Sequence, residues 1–201
     1  MSEKPNTIGM LLFDDVEELD FVGPWEVFAG LYSTLREEGR VVTISEHGGA
    51  IRCAKGLRVT VDHSFADAPA LDVLLVPGGQ GTRREVNNPA VIEWVKKVGE
   101  RCAWVTSVCT GALLLHEAGF AKGKRVTTHW AFVEQLRARG DVTVLDGPRY
   151  VREGNLVTAA GVSAGIDMAL WLVGQLHSPE VARQVQRYIQ YDPAPPYAAD
   201  V

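Results

Sequence analysis

The stretch that most constrains this chain runs from Ala103 to Gly111, Ala-Trp-Val-Thr-Ser-Val-Cys-Thr-Gly, and passes directly into Ala112-Leu113-Leu114-Leu115. The first part reads as a buried strand and the leucine-rich part behind it as a helix. Ser107, Thr110 and Gly111 let the backbone turn sharply between them, and Cys109 stands on the corner. This is the layout of a nucleophile elbow. A thiol at a helix N-terminus faces unpaired backbone N–H groups and the positive end of the helix dipole, which are expected to lower its pKa and make it a nucleophile. The other reading of Cys109 is a small hydrophobe filling a tight turn.

The remainder of the chain repeats the alternation of strand and helix. Ile8 to Phe13 reads as a first buried strand, followed by the acidic segment Asp14, Asp15, Glu17, Glu18 and Asp20, and Gly23-Pro24 then opens a helix through Trp25, Val27, Phe28 and Leu31. Arg40 to Ser45 is a second strand, and Arg52-Cys53 with Leu57 to Val61 reads as a small hairpin or an edge excursion. Ser64 reads as the cap of one helical turn. Leu71 to Val76 is an unbroken apolar strand ending in Pro77-Gly78-Gly79-Gln80-Gly81, and Asn87-Asn88-Pro89 opens a helix that closes near Gly99.

Past the elbow, a helix follows Val126-Thr127-Thr128-His129-Trp130 and runs through Leu136. Val142 to Leu145, Tyr150 to Arg152 and Leu156 to Thr158 read as strands, Ser163 to Leu176 as an apolar helix, and Ser178-Pro179 as the cap of a last helix reaching Ile189. The Pro-rich tail, residues 192–201, is expected to be extended. The sum is one α/β domain over residues 1–201: a three-layer α/β/α sandwich around a mostly parallel central sheet.

At 201 residues and 46% hydrophobic content, the chain can bury a full core of this kind. A formal net charge of −5, with no Lys/Arg cluster beyond pairs such as Arg83-Arg84, argues against nucleic acid as a partner. No apolar run approaches the ~20 residues of a membrane span, so a cytoplasmic protein is expected. Three irregularly spaced cysteines suggest neither a disulfide framework nor a zinc site, and the five histidines are scattered, so no metal and no cofactor is expected.

Carboxylates cluster at the carboxyl end of the first strand, the edge where open α/β sheets bind ligands. Asp20 is among them; on the residues alone it reads equally as a solvated loop carboxylate or a helix cap. Gly78-Gly79 would let backbone N–H groups approach a ligand closely, as an oxyanion hole requires, or is simply a tight turn. His129 is either a hydrogen-bonded structural histidine or the partner of a Cys-His pair, and Asp167 in its apolar helix is expected to hold a partner near the sheet end. Cys53 and Cys102 are expected to be inert.

With these motifs in place, the chain resembles the ThiJ/PfpI superfamily of class I glutamine amidotransferase-like, flavodoxin-like folds. Leu19 to Pro24, Val76 to Gly79, Thr106 to Gly111, Gly123 to Trp130, Ala164 to Asp167 and Pro193 to Pro196 carry the likeness, which is strongest to the isocyanide hydratases. Ligand-sensing domains of AraC-type regulators share the Cys-Thr-Gly and Thr-Thr-His-Trp segments.

The resemblance implies Cys109 as nucleophile, Asp20 as its carboxyl partner, and the backbone N–H groups of Thr110 and Gly79 as donors to developing negative charge. Gly78, His129 and Gly161 are supporting positions. Protease-like members carry His after the nucleophile; Thr110 in that place argues against peptide hydrolysis. Glyoxalase-like members carry Glu near the end of the first strand, where this chain has Asp20 with Glu17 and Glu18 upstream. The implied reaction adds water to a small-molecule isocyanide through a cysteine thioimidate, one carboxyl group serving both halves, with a homodimer as the working unit. An enzyme acting on reactive carbonyls and a non-enzymatic metabolite or redox sensor are the competing readings.

Overall fold

The computed structural model describes residues 7–34 and 38–193, with Thr34 by its main chain alone. The Pro-rich tail from 194 onward, with most of the Pro193 to Pro196 motif, lies outside the described residues. In chain order the elements are β1 (Thr7–Leu11), α1 (Glu18–Thr34), β2 (Arg40–Ser45), β3 (Gly49–Arg52), β4 (Arg58–Val61), β5 (His63–Ser64), β6 (Val73–Val76), α2 (Thr82–Glu85), α3 (Pro89–Gly99) and β7 (Trp104–Val108). There follow α4 (Gly111–Glu117), β8 (Arg125–Val126), a 3₁₀ turn (Trp130–Phe132), α5 (Val133–Arg137), β9 (Thr143–Val144), β10 (Tyr150–Glu153), β11 (Leu156–Ala159), α6 (Ala164–Leu176) and α7 (Pro179–Tyr188).

Seven strands form the central sheet in the order β10-β11-β7-β6-β1-β2-β5, parallel throughout except for the β10–β11 hairpin at one edge. The inner strands β1, β6 and β11 are buried along their whole length, as continuous apolar runs covered on both faces must be. Helices α1, α6 and α7 pack on one another, and α3 and α4 on one another, giving helical layers on the two sides of a mixed α/β core. The core strands taken in sequence lie in the spatial order second, first, third, fourth, fifth, the flavodoxin-like arrangement. Strand order reverses between β1 and β6, and ligands of such sheets bind at that switch point, outside the carboxyl ends of the strands.

Three local expectations change. Helix α1 begins at Glu18, so Pro24 is internal to it and Asp20 sits in its first turn. The chain has already turned by then, with the Asp20 N–H bonded to the Glu17 carbonyl at 3.2 Å, and the missing Pro24 N–H forfeits only the helical bond to the Asp20 carbonyl. Val142 to Leu145 supplies β9, which pairs with β8 in a separate two-stranded sheet instead of joining the main one. Ser64 closes the short edge strand β5, its hydroxyl accepting the Ala66 N–H. The Asn88 cap of α3 and the Ser178 cap of α7 stand where the residues place them, while the first hairpin strand runs over Gly49–Arg52, ahead of the expected Arg52-Cys53, and pairs with Arg58–Val61.

Candidate active site

The site is assembled from the ends of β1, β6 and β7. Cys109 occupies the corner between β7 and α4 with φ of +56°, a left-handed conformation that costs a non-glycine residue about 1–3 kcal/mol and persists only where its surroundings enforce it. The enforcement is visible: the Cys109 N–H donates to the Ala159 and Ala160 carbonyls at 3.1 and 3.0 Å, and its own carbonyl accepts the Thr128 hydroxyl at 2.7 Å. Two residues on, a Cβ at Gly111 would come within 2.0 Å of the Val76 carbonyl oxygen, so only glycine lets α4 start against the end of β6.

Asp20 is fully buried and approaches from α1. Its Oδ2 accepts the Gly78 N–H at 2.8 Å, while Oδ1 is buried with no well-aligned partner. Burial lifts its pKa from 3.8 to about 7; the Gly78 N–H and the Cys109 thiol act in the opposite direction, and the nearby charge of Glu17 adds to the rise. Thr110 Oγ1 accepts the Gly79 N–H at 3.0 Å and lies 3.0 Å from Thr82 Oγ1, tying the turn after β6 to the elbow.

The expectation of an ionised thiol is corrected here. Burial first, and the Asp20 charge second, push Cys109 up to about 12, outweighing the backbone and hydroxyl donors of Thr110. The helix-terminus effect is present but smaller than the cost of placing an anion beside a carboxylate in a dry site. The Gly79 N–H is also directed elsewhere than expected: Thr110 Oγ1 occupies it, and the Thr110 N–H faces the sulfur.

Cys109, though only 6% exposed, is not sealed in. It opens on a cavity of about 150 Å³ whose walls include Glu17, Arg83, His129, Phe132 and Val162. The Arg83 guanidinium lies 4.6 Å from the Phe132 ring centre and donates to the Gly79 carbonyl at 3.0 Å, so one side of the mouth is cationic and aromatic. Val162 holds φ of +47°, an outlier for a β-branched residue and a second strained point on the wall. A larger hollow of about 460 Å³ beside Phe65 and Trp94 contains neither Cys109 nor Asp20.

His129 reaches the cavity wall, but its Nδ1 accepts the Ala131 N–H at 3.2 Å, as a structural histidine would. Gly161 packs against that ring: a Cβ there would lie 2.3 Å from His129 Cδ2. Asp167 is away from the thiol and pairs with Arg149, whose Nε donates to its Oδ2 at 2.8 Å. Among the described residues no group of three His, Cys, Asp or Glu side chains is gathered within reach of one metal ion, and no helix is long and apolar enough to cross a membrane.

The model of the DJ-1/PfpI family matches residues 6–175. The chain belongs to the DJ-1/PfpI family. An isonitrile hydratase of Pseudomonas putida is 39% identical over 190 residues, 94% of this chain and 80% of that protein. A Parkinson disease protein 7 homolog of Danio rerio is 31% identical, over 88% of this chain and 93% of its own length. The crystal structure of a ThiJ/PfpI family protein from Pseudomonas syringae, 30% identical, superposes with a TM-score of 0.89 over all of this chain and 83% of that one.

Several residues of this DJ-1/PfpI site escape sequence reasoning. Thr128 was legible only as part of a Thr-Thr-His-Trp run, yet it is the residue that holds the elbow carbonyl. Glu17 stood in the acidic segment with nothing to single it out, and it faces the cavity. Arg83 and Phe132 are 49 residues apart and meet only through the fold.

Proposed function

We propose that this DJ-1/PfpI protein hydrates isocyanides to N-formamides. The observation that carries the reading is a buried carboxyl group with a pKa near 7 next to a thiol on a strained elbow. A thiol at about 12 is a poor nucleophile unless a base removes its proton as it attacks, and this reading assigns that role to the neighbouring Asp20. As Sγ bonds to the isocyanide carbon, the thiol proton passes to Asp20 and then to that carbon, giving the thioimidate R–N=CH–S–Cys109 and regenerating the carboxylate. Addition of water and expulsion of sulfur release R–NH–CHO and restore the thiol.

The Thr110 N–H would steady negative charge gathering near the sulfur. Thr110 in place of a His, and a relative 39% identical that is an isonitrile hydratase, favour this chemistry over peptide hydrolysis. A cytoplasmic homodimer belongs to the same proposal. The test is to incubate the pure protein with an alkyl or aryl isocyanide and follow the N-formamide, with methylglyoxal as a parallel substrate. Cys109→Ala is expected to abolish turnover and Asp20→Asn to slow it about a hundred- to ten-thousand-fold. Turnover of methylglyoxal with isocyanides untouched would replace the proposal by the carbonyl reading, and inertness toward both would favour a sensor.

A further inference from the structure

The second half of that reaction poses a geometric problem. The thioimidate carbon is bonded to Sγ and projects into the cavity, so the attacking water must come from the cavity, and a base must lie within about 2.6–3.2 Å of it. Asp20 does not line the cavity; it is fully buried beneath the elbow. Its Oδ2 is already engaged by the Gly78 N–H at 2.8 Å.

Three other titratable side chains line the cavity. Arg83 presents only N–H donors. His129, accepting the Ala131 N–H at Nδ1, carries its proton on Nε2 and is likewise a donor in its neutral form. The third is Glu17. Its backbone N–H donates to the Gly78 carbonyl at 2.9 Å, its neighbour Val16 forms an antiparallel bridge with Gly79, and its Oε1 is paired with Lys55 Nζ from the turn of the β3–β4 hairpin. Glu17 is thus pinned at both main chain and side chain on the wall facing the sulfur.

Building on the isocyanide reading, we infer that Glu17 is a second catalytic carboxylate, the base that activates water against the thioimidate, while Asp20 serves the first half-reaction only. Glu17 takes one proton from water as the oxygen bonds to carbon; the C=N pair moves to nitrogen, and Glu17 returns the proton there. The C–S bond of R–NH–CH(OH)–S–Cys109 then breaks with its electron pair leaving on sulfur, and the hydroxyl proton travels by way of Glu17 to that sulfur.

The test separates the halves. Wild type, Glu17→Gln and Asp20→Asn are mixed with excess cyclohexyl isocyanide, quenched in acid and examined by intact mass, with formamide release followed in parallel. Glu17→Gln is expected to accumulate one isocyanide mass on Cys109 and to release formamide about a hundredfold more slowly than wild type, with Glu17→Asp recovering part of the rate; Asp20→Asn is expected to form little adduct. The inference is overturned if wild type makes formamide and Glu17→Gln matches its rate without an adduct, or if Glu17→Gln loses adduct formation while folded by circular dichroism. If Glu17→Gln does not fold, Glu17→Asp carries the test: accumulated adduct supports the inference and a wild-type adduct level with slowed first addition overturns it. Absence of formamide from wild type instead refutes the isocyanide reading itself.

Discussion

On the proposed reading, Asp20 trades stability for chemistry. Its pKa is near 7 in the folded chain and about 3.8 when unfolded, so the folded state holds a proton that the unfolded state has released between those values. Below about pH 3 the group is protonated in both states and costs nothing by this route. As pH rises from 4 through 7 the burial of its charge removes up to about 4 kcal/mol of stability, because each tenfold difference in proton affinity between the two states is worth about 1.4 kcal/mol. Asp20→Asn keeps an acceptor for the Gly78 N–H but carries no charge. Its melting temperature is therefore expected to exceed that of wild type at pH 8 and to match it at pH 3; equal melting temperatures at pH 8 would mean the carboxylate is better solvated than its burial implies. Apart from the family resemblance, the residues alone do not single out Asp20. Five carboxylates lie between Asp14 and Asp20, and which of them turns inward depends on where α1 begins, a choice made by contacts with Gly78 and α6 rather than by local pattern.

Among the elements, those whose signals are local were legible. The elbow, the β3–β4 hairpin and the Asn88 and Ser178 caps are each specified within a few residues, by small residues at a corner, alternation across a turn, or a capping side chain before a proline. The start of α1 was not, because a proline in the pattern reads as a helix opening while the native helix tolerates Pro24 one turn in, its ring packed near Gly165 of α6. The β8–β9 pair was not either, since two short strands carry no mark of which sheet they join. Helix α4 shows how tightly an element can be fitted. Gly111→Ala would drive a methyl group into the Val76 carbonyl and is expected to destabilise the protein by about 3 kcal/mol, read as a lowered denaturant midpoint. A loss below about 0.5 kcal/mol would show that α4 can slide away from β6 and that the elbow is less rigid than its hydrogen bonds indicate.

For the whole molecule, topology is what turns scattered residues into a site. Reversal of strand order between β1 and β6 opens a crevice into which the ends of three neighbouring strands deliver Glu17 and Asp20, the Gly78-Gly79 turn, and Cys109. The α/β class and the parallel sheet followed from alternation in the sequence; the joining of Arg83 to Phe132 and of Glu17 to Lys55 required the fold. On the proposed reading, the first half of the reaction turns on a single proton held between Cys109 and Asp20. The pH dependence of kcat/KM for formamide production reads that proton most directly. Wild type is expected to rise about tenfold per pH unit up to about 7 and to level off above it, and Asp20→Asn is expected to lose that limb along with most of its rate. A wild-type profile that is flat from pH 5 to 9, or a limb near 7 that survives in Asp20→Asn, would contradict the assignment of Asp20 as the proton acceptor for the thiol.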